Sequence, residues 1–310
     1  MAECVIHWFR RDLRLDDNSG LDAALRSGDP VLPVFILDDA ILAQPIDARR
    51  LSFLGTALED LDQRLGRRGS RLLVRRGDAA RELNRVAEEA NAWGVYLNRD
   101  HTPYARQRDA RATRGLQMTG VVTQTFDDLM LVGPQLMVDS DGLPPADFDG
   151  FSRPWLEQLN VDPQPPGAVE GTFRAANALQ SIDEWADSLA PRADGQDTQT
   201  GATPASARLS LEELLTRLPR YRGGLEGAEP GSPVWPALGF GTISVREVAR
   251  AVLARAAADE SSRQGAEAFI LDLCRREHAY HLLHAHPQVL RAPGLEGEYV
   301  RHWLWGDRLT

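Results

Sequence analysis

Charged side chains that could take part in chemistry are concentrated in two short stretches of the sequence. Residues 7–18 read HWFRRDLRLDDN, where arginines and aspartates directly follow an apolar run. If that run is a parallel strand, these charges lie in the βα turn where open α/β sheets bind their ligands. By composition alone, the same charges could equally belong to a solvated loop.

The second stretch, residues 270–287, reads ILDLCRREHAYHLLHAHP. Its histidines His278, His281 and His284 recur at helical spacing on one face, as metal ligands could. No Asp, Glu or Cys completes a metal site of usual composition there. We therefore expect core or surface histidines and no metal.

The elements that would position these residues alternate between strand-like and helix-like segments in the first third of the chain. Five short runs, mostly rich in Val, Ile, Leu or aromatic residues and bounded by turn residues, predict strands. They are Cys4–Phe9, Val31–Leu37, Arg71–Arg75, Gly94–Leu97 and the more polar Val121–Phe126. Amphipathic segments at 51–65, 79–93 and 103–118 predict the intervening helices. This order predicts a doubly wound, five-stranded parallel α/β sheet covered by helices on both faces.

The pattern changes after about residue 135, which suggests three regions: an α/β domain over 1–135, a connection over 136–205 and a helical region over 206–310. The connection is rich in Gly, Pro and small polar residues, with one helix expected at 183–189. In the helical region, Ser210 and Ser244 each precede a Glu by three residues and predict capping boxes. Helices are expected at 244–258 and 265–284, the second ended by Pro287.

Composition limits the class of protein. The chain has 310 residues, a formal charge of −10 and only two cysteines, Cys4 and Cys274, with no metal-type spacing. All 35 basic residues are arginine. The net negative charge argues against a protein whose whole surface is positively charged for nucleic-acid binding. It is compatible with a local basic patch. The absence of a signal-like or membrane-spanning stretch predicts a cytoplasmic protein with reduced thiols and no membrane partner.

The sequence of the first half resembles those of DNA photolyases and cryptochromes, which begin with the pattern W-F-R-x-D-L-R-x-x-D-N. Residues 8–18 match this pattern, and further segments of the α/β domain match the same family. They are VLPVFILDDAIL, LLVRRGD, PYARQRD, FDDLMLVGP and FSRPW.

The resemblance implies an antenna chromophore in the α/β domain and folded FAD in a following helical domain. In that family, light-excited reduced FAD passes an electron to a pyrimidine dimer in UV-damaged DNA, which then splits. The antenna cleft would include Arg10, Asp12, Asp38, Tyr104 and Arg108. Because Tyr104 and Ala105 replace the family's folate-contacting Asn-Glu pair, a flavin or deazaflavin antenna is expected rather than folate.

The resemblance also assigns roles in the helical region. Tyr221 and Ser232 correspond to groups near the FAD phosphates, and Arg276 and Glu277 are further candidates for the cofactor site. Asp272, Arg275 and Arg276 stand where the family contacts its substrate. Asp272 replaces a Glu there, and Arg275 replaces the Trp that stacks on the pyrimidine dimer.

The flavin-wrapping motifs T-G-x-P-x-V-D-A and W-M-H-N-R do not occur, while GEYVRHWL at 297–304 resembles a segment near the family's C-terminal end. The sequence therefore predicts a truncated helical domain. The functional hypothesis is a photolyase-related protein whose ancestral activity is repair. Two alternatives stay open. One is a sensing module that binds a chromophore or nucleotide without repair, and the other is a folded protein that has lost both repair and binding. The residues predict nothing about oligomeric state.

Overall fold

The computed structural model describes residues 4–44, 46–139, 142–175, 179, 189, 201–223, 234–291 and 299–300. The predicted Ser232 and most of the helix expected at 183–189 lie outside these residues. So does most of the segment at 297–304.

Five parallel strands form one sheet in the order β3-β2-β1-β4-β5. The chain thus builds outward from β1 in one direction and then returns to add β4 and β5 on the other side. This arrangement confirms the predicted doubly wound α/β fold and creates a switch point between β1 and β4. The strands are β1 (Cys4–Phe9), β2 (Val31–Asp38), β3 (Leu73–Gly77), β4 (Ala92–Asn98) and β5 (Val122–Phe126).

Helices cover both faces of the sheet. One apolar cluster packs β1, β2 and β4 against two of the helices, and a second packs the opposite face against two others. Each helix that covers the sheet begins at a capping side chain that accepts a backbone N–H bond, such as Asn18 from Leu21. The helices are α1 (Ser19–Arg26), α2 (Asp39–Leu42), α3 (Ala48–Gly66), α4 (Ala79–Glu89) and α5 (Pro103–Met118).

The remainder of the described chain is helical, and a third apolar cluster centred on Phe151, Trp155 and Phe269 holds it together. Its longest helix runs for 23 residues through the second charged stretch. The helices are α6 (Phe148–Gln158), α7 (Pro204–Arg217), α8 (Val234–Phe240), α9 (Val245–Ala258) and α10 (Arg263–Ala285). Within the described residues, no helix is both long and apolar enough to cross a bilayer.

One of the two helix caps predicted from the sequence needs correction. The capping box expected at Ser210 is wrong, because α7 already begins at Pro204 and Thr203 forms the box with Ser206. Ser210 lies inside the helix and donates to the carbonyl of Ser206 at 3.0 Å. The cap at Ser244 is confirmed, since its hydroxyl accepts the N–H of Glu247 at 3.1 Å.

Candidate functional site

Trp8, at the carboxyl end of β1, is enclosed by two guanidinium groups. The Cζ atoms of Arg10 and Arg108 lie 4.6 and 4.9 Å from its ring centroid, which is cation–π geometry. Asp109 holds both arginines, accepting from Nη1 of Arg10 at 2.7 Å and from Nε of Arg108 at 2.9 Å. The indole Nε1 of Trp8 is buried and has no hydrogen-bond partner among the described residues.

Tyr104 extends this cluster to the end of β2. Its hydroxyl donates to Asp38 at 2.6 Å, and its ring centroid lies 5.9 Å from the guanidinium carbon of Arg108. Partial burial and the bond to Asp38 raise the pKa of Tyr104, so the phenol stays protonated. Four predicted cleft residues, Arg10, Asp38, Tyr104 and Arg108, thus form one connected cluster in which the two arginines contact the indole. Tyr104 is 38% exposed at the edge of this cluster.

Asp12, the fifth predicted cleft residue, lies behind Arg10 and faces inward. It accepts from the backbone N–H of Arg10 at 2.7 Å and from the side-chain amide of Asn98 at 2.6 Å, and it contacts Nε2 of His7 at 3.2 Å. Burial opposes its ionisation, but the hydrogen bond and charge of His7 outweigh burial and lower the pKa of Asp12. Asp12 therefore fixes the turn after β1.

An alternating ion network joins the α/β domain to α9. Asp128, after β5, forms ion pairs with Arg14 and with Arg246, the latter at 2.7 Å. Arg246 also pairs with Asp17 at 2.8 Å. Asp17 has a φ of 49°, an unfavourable backbone region for a residue other than Gly, and Ser244 and Arg246 hold its carboxylate.

This network was missed as a site by the sequence reasoning, although Arg14 and Asp17 belong to the quoted motif. The sequence signal that could have predicted this network was the number of charged residues after β1, which is larger than a solvated turn needs. Burial opposes ionisation of Asp128, yet the two arginines hold the pKa of Asp128 far below its ordinary value.

In α10, two of the three residues matched to substrate contacts, Asp272 and Arg275, bind one another. Asp272 is fully buried and accepts from the hydroxyl of Tyr221 at 2.7 Å and from Arg275 at 2.6 Å. The guanidinium carbon of Arg275 lies 4.6 Å from the ring centroid of Phe148. Burial, followed by the charge of Asp272, raises the pKa of Tyr221.

The next two residues of α10 contact the α/β domain and the segment after it. Arg276 donates to the carbonyls of Leu129 at 3.0 Å and Leu238 at 3.5 Å. Glu277 accepts from the backbone N–H groups of residues 131 and 132 and from the indole of Trp155 at 2.7 Å. Burial raises the pKa of Glu277 to about 7, against the effect of these donors.

The predicted histidines lie at the junction of the two regions. His281 packs edge-on against Phe151, with ring centroids 4.9 Å apart, and His101 of the β4–α5 loop lies 5.7 Å from the ring of His284. Burial lowers the pKa of His101 to about 4 and that of His281 to about 3. Within the described part of the chain, no three His, Cys, Asp or Glu side chains are arranged to hold a metal ion.

This fold and motif can be compared with known proteins. The family model described as DNA photolyase matches residues 5–169. The chain belongs to the DNA photolyase family. A deoxyribodipyrimidine photo-lyase from Streptomyces griseus is 32% identical over 91% of this chain and 61% of its own length. The chain spans 61–65% of the length of three such relatives.

A shorter relative matches over nearly its whole length. An uncharacterized 31.6 kDa protein of Synechococcus sp. (strain PCC 6716) is 31% identical over 83% of this chain and 92% of that protein. Among solved structures, an archaeal photolyase from Sulfolobus tokodaii that contains two FAD molecules superposes with a TM-score of 0.71. It has 26% identity, and the match covers 93% of this chain and 61% of the archaeal chain.

Proposed function

We propose a photolyase-related function in two parts: binding of a flavin-class chromophore in the α/β cleft, and light-driven repair of pyrimidine dimers in UV-damaged DNA. The cluster around Trp8 carries the first part. The alignment with photo-lyases over 91–96% of this chain supports the second part. We also propose a cytoplasmic location, supported by two buried cysteines that form no disulfide.

The residues of the α/β cleft fit a planar, polar chromophore. Trp8 Nε1 and Arg10 Nε are buried donors without partners among the described residues, and such groups are costly to leave unsatisfied. Tyr104 and the guanidinium of Arg108 offer flat surfaces beside them, suited to an aromatic ring. A flavin or deazaflavin meets these requirements with its carbonyl and ring-nitrogen acceptors.

The candidate FAD residues described in the helical region do not fit a second flavin. Tyr221 donates to Asp272, Arg276 donates to two backbone carbonyls, and all three donors around Glu277 belong to the protein. None of these side chains presents a free group to a phosphate or a flavin ring. Chromophore binding without repair is the alternative function, and the experiment below separates it from repair.

One experiment tests both parts. The purified full-length chain is incubated with FAD, FMN or a deazaflavin, desalted and examined by visible absorption. It is then illuminated with DNA containing pyrimidine dimers, and dimer loss is measured against a dark control. Retained chromophore with dimer loss supports both parts, and chromophore without dimer loss supports the sensing module. A colourless chain that none of the three ligands stabilises contradicts the proposal, because a ligand held only by the native state must raise its stability.

A matched pair of variants locates the site. Arg108→Gln removes one face of the Trp8 cluster, whereas Arg111→Gln changes an exposed residue of the same helix that pairs with Asp78 at 2.8 Å. We expect about tenfold weaker chromophore binding for Arg108→Gln, equivalent to one lost charged contact, and no change for Arg111→Gln. Equal affinities of the two variants would place the chromophore elsewhere.

A further inference from the structure

Tyr104 and Asp38 form a phenol–carboxylate pair at the edge of the α/β cleft. The hydroxyl of Tyr104 donates to Oδ2 of Asp38 at 2.6 Å, and Oδ1 of Asp38 accepts the backbone N–H of Ala40 at 3.1 Å. Asp38 is buried, whereas Tyr104 is exposed at the edge of the cluster. A ligand in the cleft can therefore reach the phenol ring, while the phenol proton already lies on a hydrogen bond to a fixed acceptor.

This arrangement suits a phenol that gives up an electron and a proton together. Partial burial, followed by the bond to Asp38, raises the pKa of Tyr104, so the hydroxyl keeps its proton at neutral pH. Removal of one electron makes a phenol strongly acidic, and the proton then moves along the existing hydrogen bond to Asp38. The ring becomes a neutral radical. That neutrality is favourable here, because the guanidinium carbon of Arg108 lies 5.9 Å from the Tyr104 ring centroid and would repel a positively charged ring.

Trp8, the other oxidisable ring of the cluster, has no comparable acceptor. Its Nε1 is buried and has no hydrogen-bond partner among the described residues, so no protein group there takes up its proton. A Trp8 that loses an electron stays positively charged beside the guanidinium carbons of Arg10 and Arg108, which lie 4.6 and 4.9 Å from its ring centroid. Asp109, which both arginines share, offsets part of that repulsion. Tyr104 is therefore the better electron donor of the two rings.

The remaining requirement is a one-electron oxidant, and a photoexcited flavin is one. We propose that Tyr104 donates an electron to a photoexcited, oxidised flavin bound in the α/β cleft and that Asp38 accepts the Tyr104 proton. This inference rests on the proposed binding of a flavin-class chromophore in the cleft. It assigns that chromophore a local photochemical reaction, in addition to any transfer of excitation energy elsewhere.

Electron and proton transfer balance within the cleft. One electron passes from the Tyr104 ring to the flavin, the O–H bond of Tyr104 breaks, and a new O–H bond forms at Oδ2 of Asp38. In the dark the electron returns from the flavin to Tyr104 and the proton returns from Asp38, so the starting state is restored without an external reductant. A reversible charge separation of this kind is a light signal that requires neither DNA nor a second flavin.

Two measurements on the full-length chain loaded with FAD or FMN test the electron donor, and neither measures repair. Time-resolved fluorescence gives the excited-state lifetime of the bound flavin, and electron paramagnetic resonance detects the radical formed on illumination. We expect a tyrosyl radical, and Tyr104→Phe should lose that signal and lengthen the lifetime. Tyr96→Phe changes a β4 tyrosine that stacks on Phe126, and it should behave as the unmodified chain. An unchanged lifetime and signal in Tyr104→Phe, or a tryptophan radical in the unmodified chain, overturns the proposal.

A second pair of variants tests the proton acceptor. Asp38→Asn keeps the N-cap of α2, because Asn caps as well as Asp, but its amide does not take up the proton. Radical formation, followed by transient absorption, should slow about a hundredfold, the lower end of the contribution of a positioned base. Asp39→Asn removes an exposed carboxylate that pairs with Arg76 at 2.9 Å, and it should keep the full rate. Equal rates in the two variants would contradict the role of Asp38.

A flavin-free measurement separates this inference from the binding of the chromophore. The chain is illuminated with a ruthenium polypyridyl photo-oxidant in solution, and tyrosyl radical formation is followed by transient absorption. We expect less radical in Tyr104→Phe and slower formation in Asp38→Asn, because the buried pair of Tyr221 and Asp272 contributes equally to all three proteins. If the chain retains no flavin, the chromophore proposal fails and this measurement alone decides the redox role of the pair. If flavin is retained and its lifetime does not depend on Tyr104, only this inference fails.

Discussion

Replacing Asp128 with Asn tests whether the ion network holds α9 against the α/β domain. The carboxylate has a side chain 3% exposed and accepts from Arg14, from Arg246 at 2.7 Å and from Ser19 at 2.9 and 3.0 Å. Asn retains the shape but leaves two guanidinium groups without their shared anion. Each charged hydrogen bond contributes about 1.5–3 kcal/mol, and breaking a buried pair costs about 3–5 kcal/mol. We therefore expect the free energy of unfolding to fall by about 3–5 kcal/mol.

The adjacent residue provides the control. Asp127 pairs with Arg99 at 2.7 Å, but the two side chains are 25% and 47% exposed, so Asp127→Asn should cost less than about 1 kcal/mol. Both variants are compared with the unmodified chain by urea unfolding followed by circular dichroism. Equal losses in the two variants would refute the argument that burial makes the Asp128 network strong.

The pH dependence gives a second check on Asp128. Its native-state pKa is depressed, so its stabilisation is present above the unfolded-state pKa of about 3.9 and is lost as the pH falls towards the native value. The difference between the unmodified chain and Asp128→Asn should be constant near neutrality and should shrink only below about pH 4. If the stability difference between the two proteins already disappears between about pH 8 and about pH 5, the pKa of Asp128 is not depressed.

Three further outcomes follow from single positions. Gly241 has a φ of 71°, and a Cβ there would lie 2.1 Å from the carbonyl oxygen of Arg11, so Gly241→Ala should lower the thermal midpoint far more than Gly239→Ala, where nothing lies within 4 Å. Because burial raises the pKa of Glu277 from 4.5 to about 7, stability should fall by about 3 kcal/mol as the pH rises through that interval, and Glu277→Gln should remove this slope in pH-dependent urea unfolding. Because burial lowers the pKa of His281 to about 3, its contribution should be lost as the pH falls below about 6.5, and His281→Gln should flatten that acid limb in the same assay.

Much of the fold could be predicted, because the apolar character of each strand and the alternation of strands with helices can be read from local sequence. The position of β3 was less accurate: the run Arg71–Arg75 was predicted, whereas the strand is Leu73–Gly77. The register with β2, from Val34–Leu73 to Asp38–Gly77, sets these limits. Arg71 lies before the strand and contacts Asp62 at 3.0 Å instead. Local composition contains no information about that pairing.

The candidate site could be predicted in part. The cleft residues around Trp8 follow neighbouring strands, and parallel topology brings such residues to one edge of the sheet. The ion network could not be predicted from spacing, because Arg14 and Asp128 are 114 positions apart and Arg246 comes from the helical region. Only docking of α9 shows that these charges bind one another.

Helix α10 shows how a single arginine side chain can occupy a buried carboxylate. An arginine at position 275 lies one helical turn from Asp272, and this i, i+3 spacing allows an ion pair without help from any ligand. Arg275 and Tyr221 together satisfy the buried carboxylate of Asp272. Glu277, on the next turn, is satisfied by backbone and indole donors. Because each of these polar groups has a protein partner, α10 binds the α/β domain and the segment after it through Arg276 and Glu277.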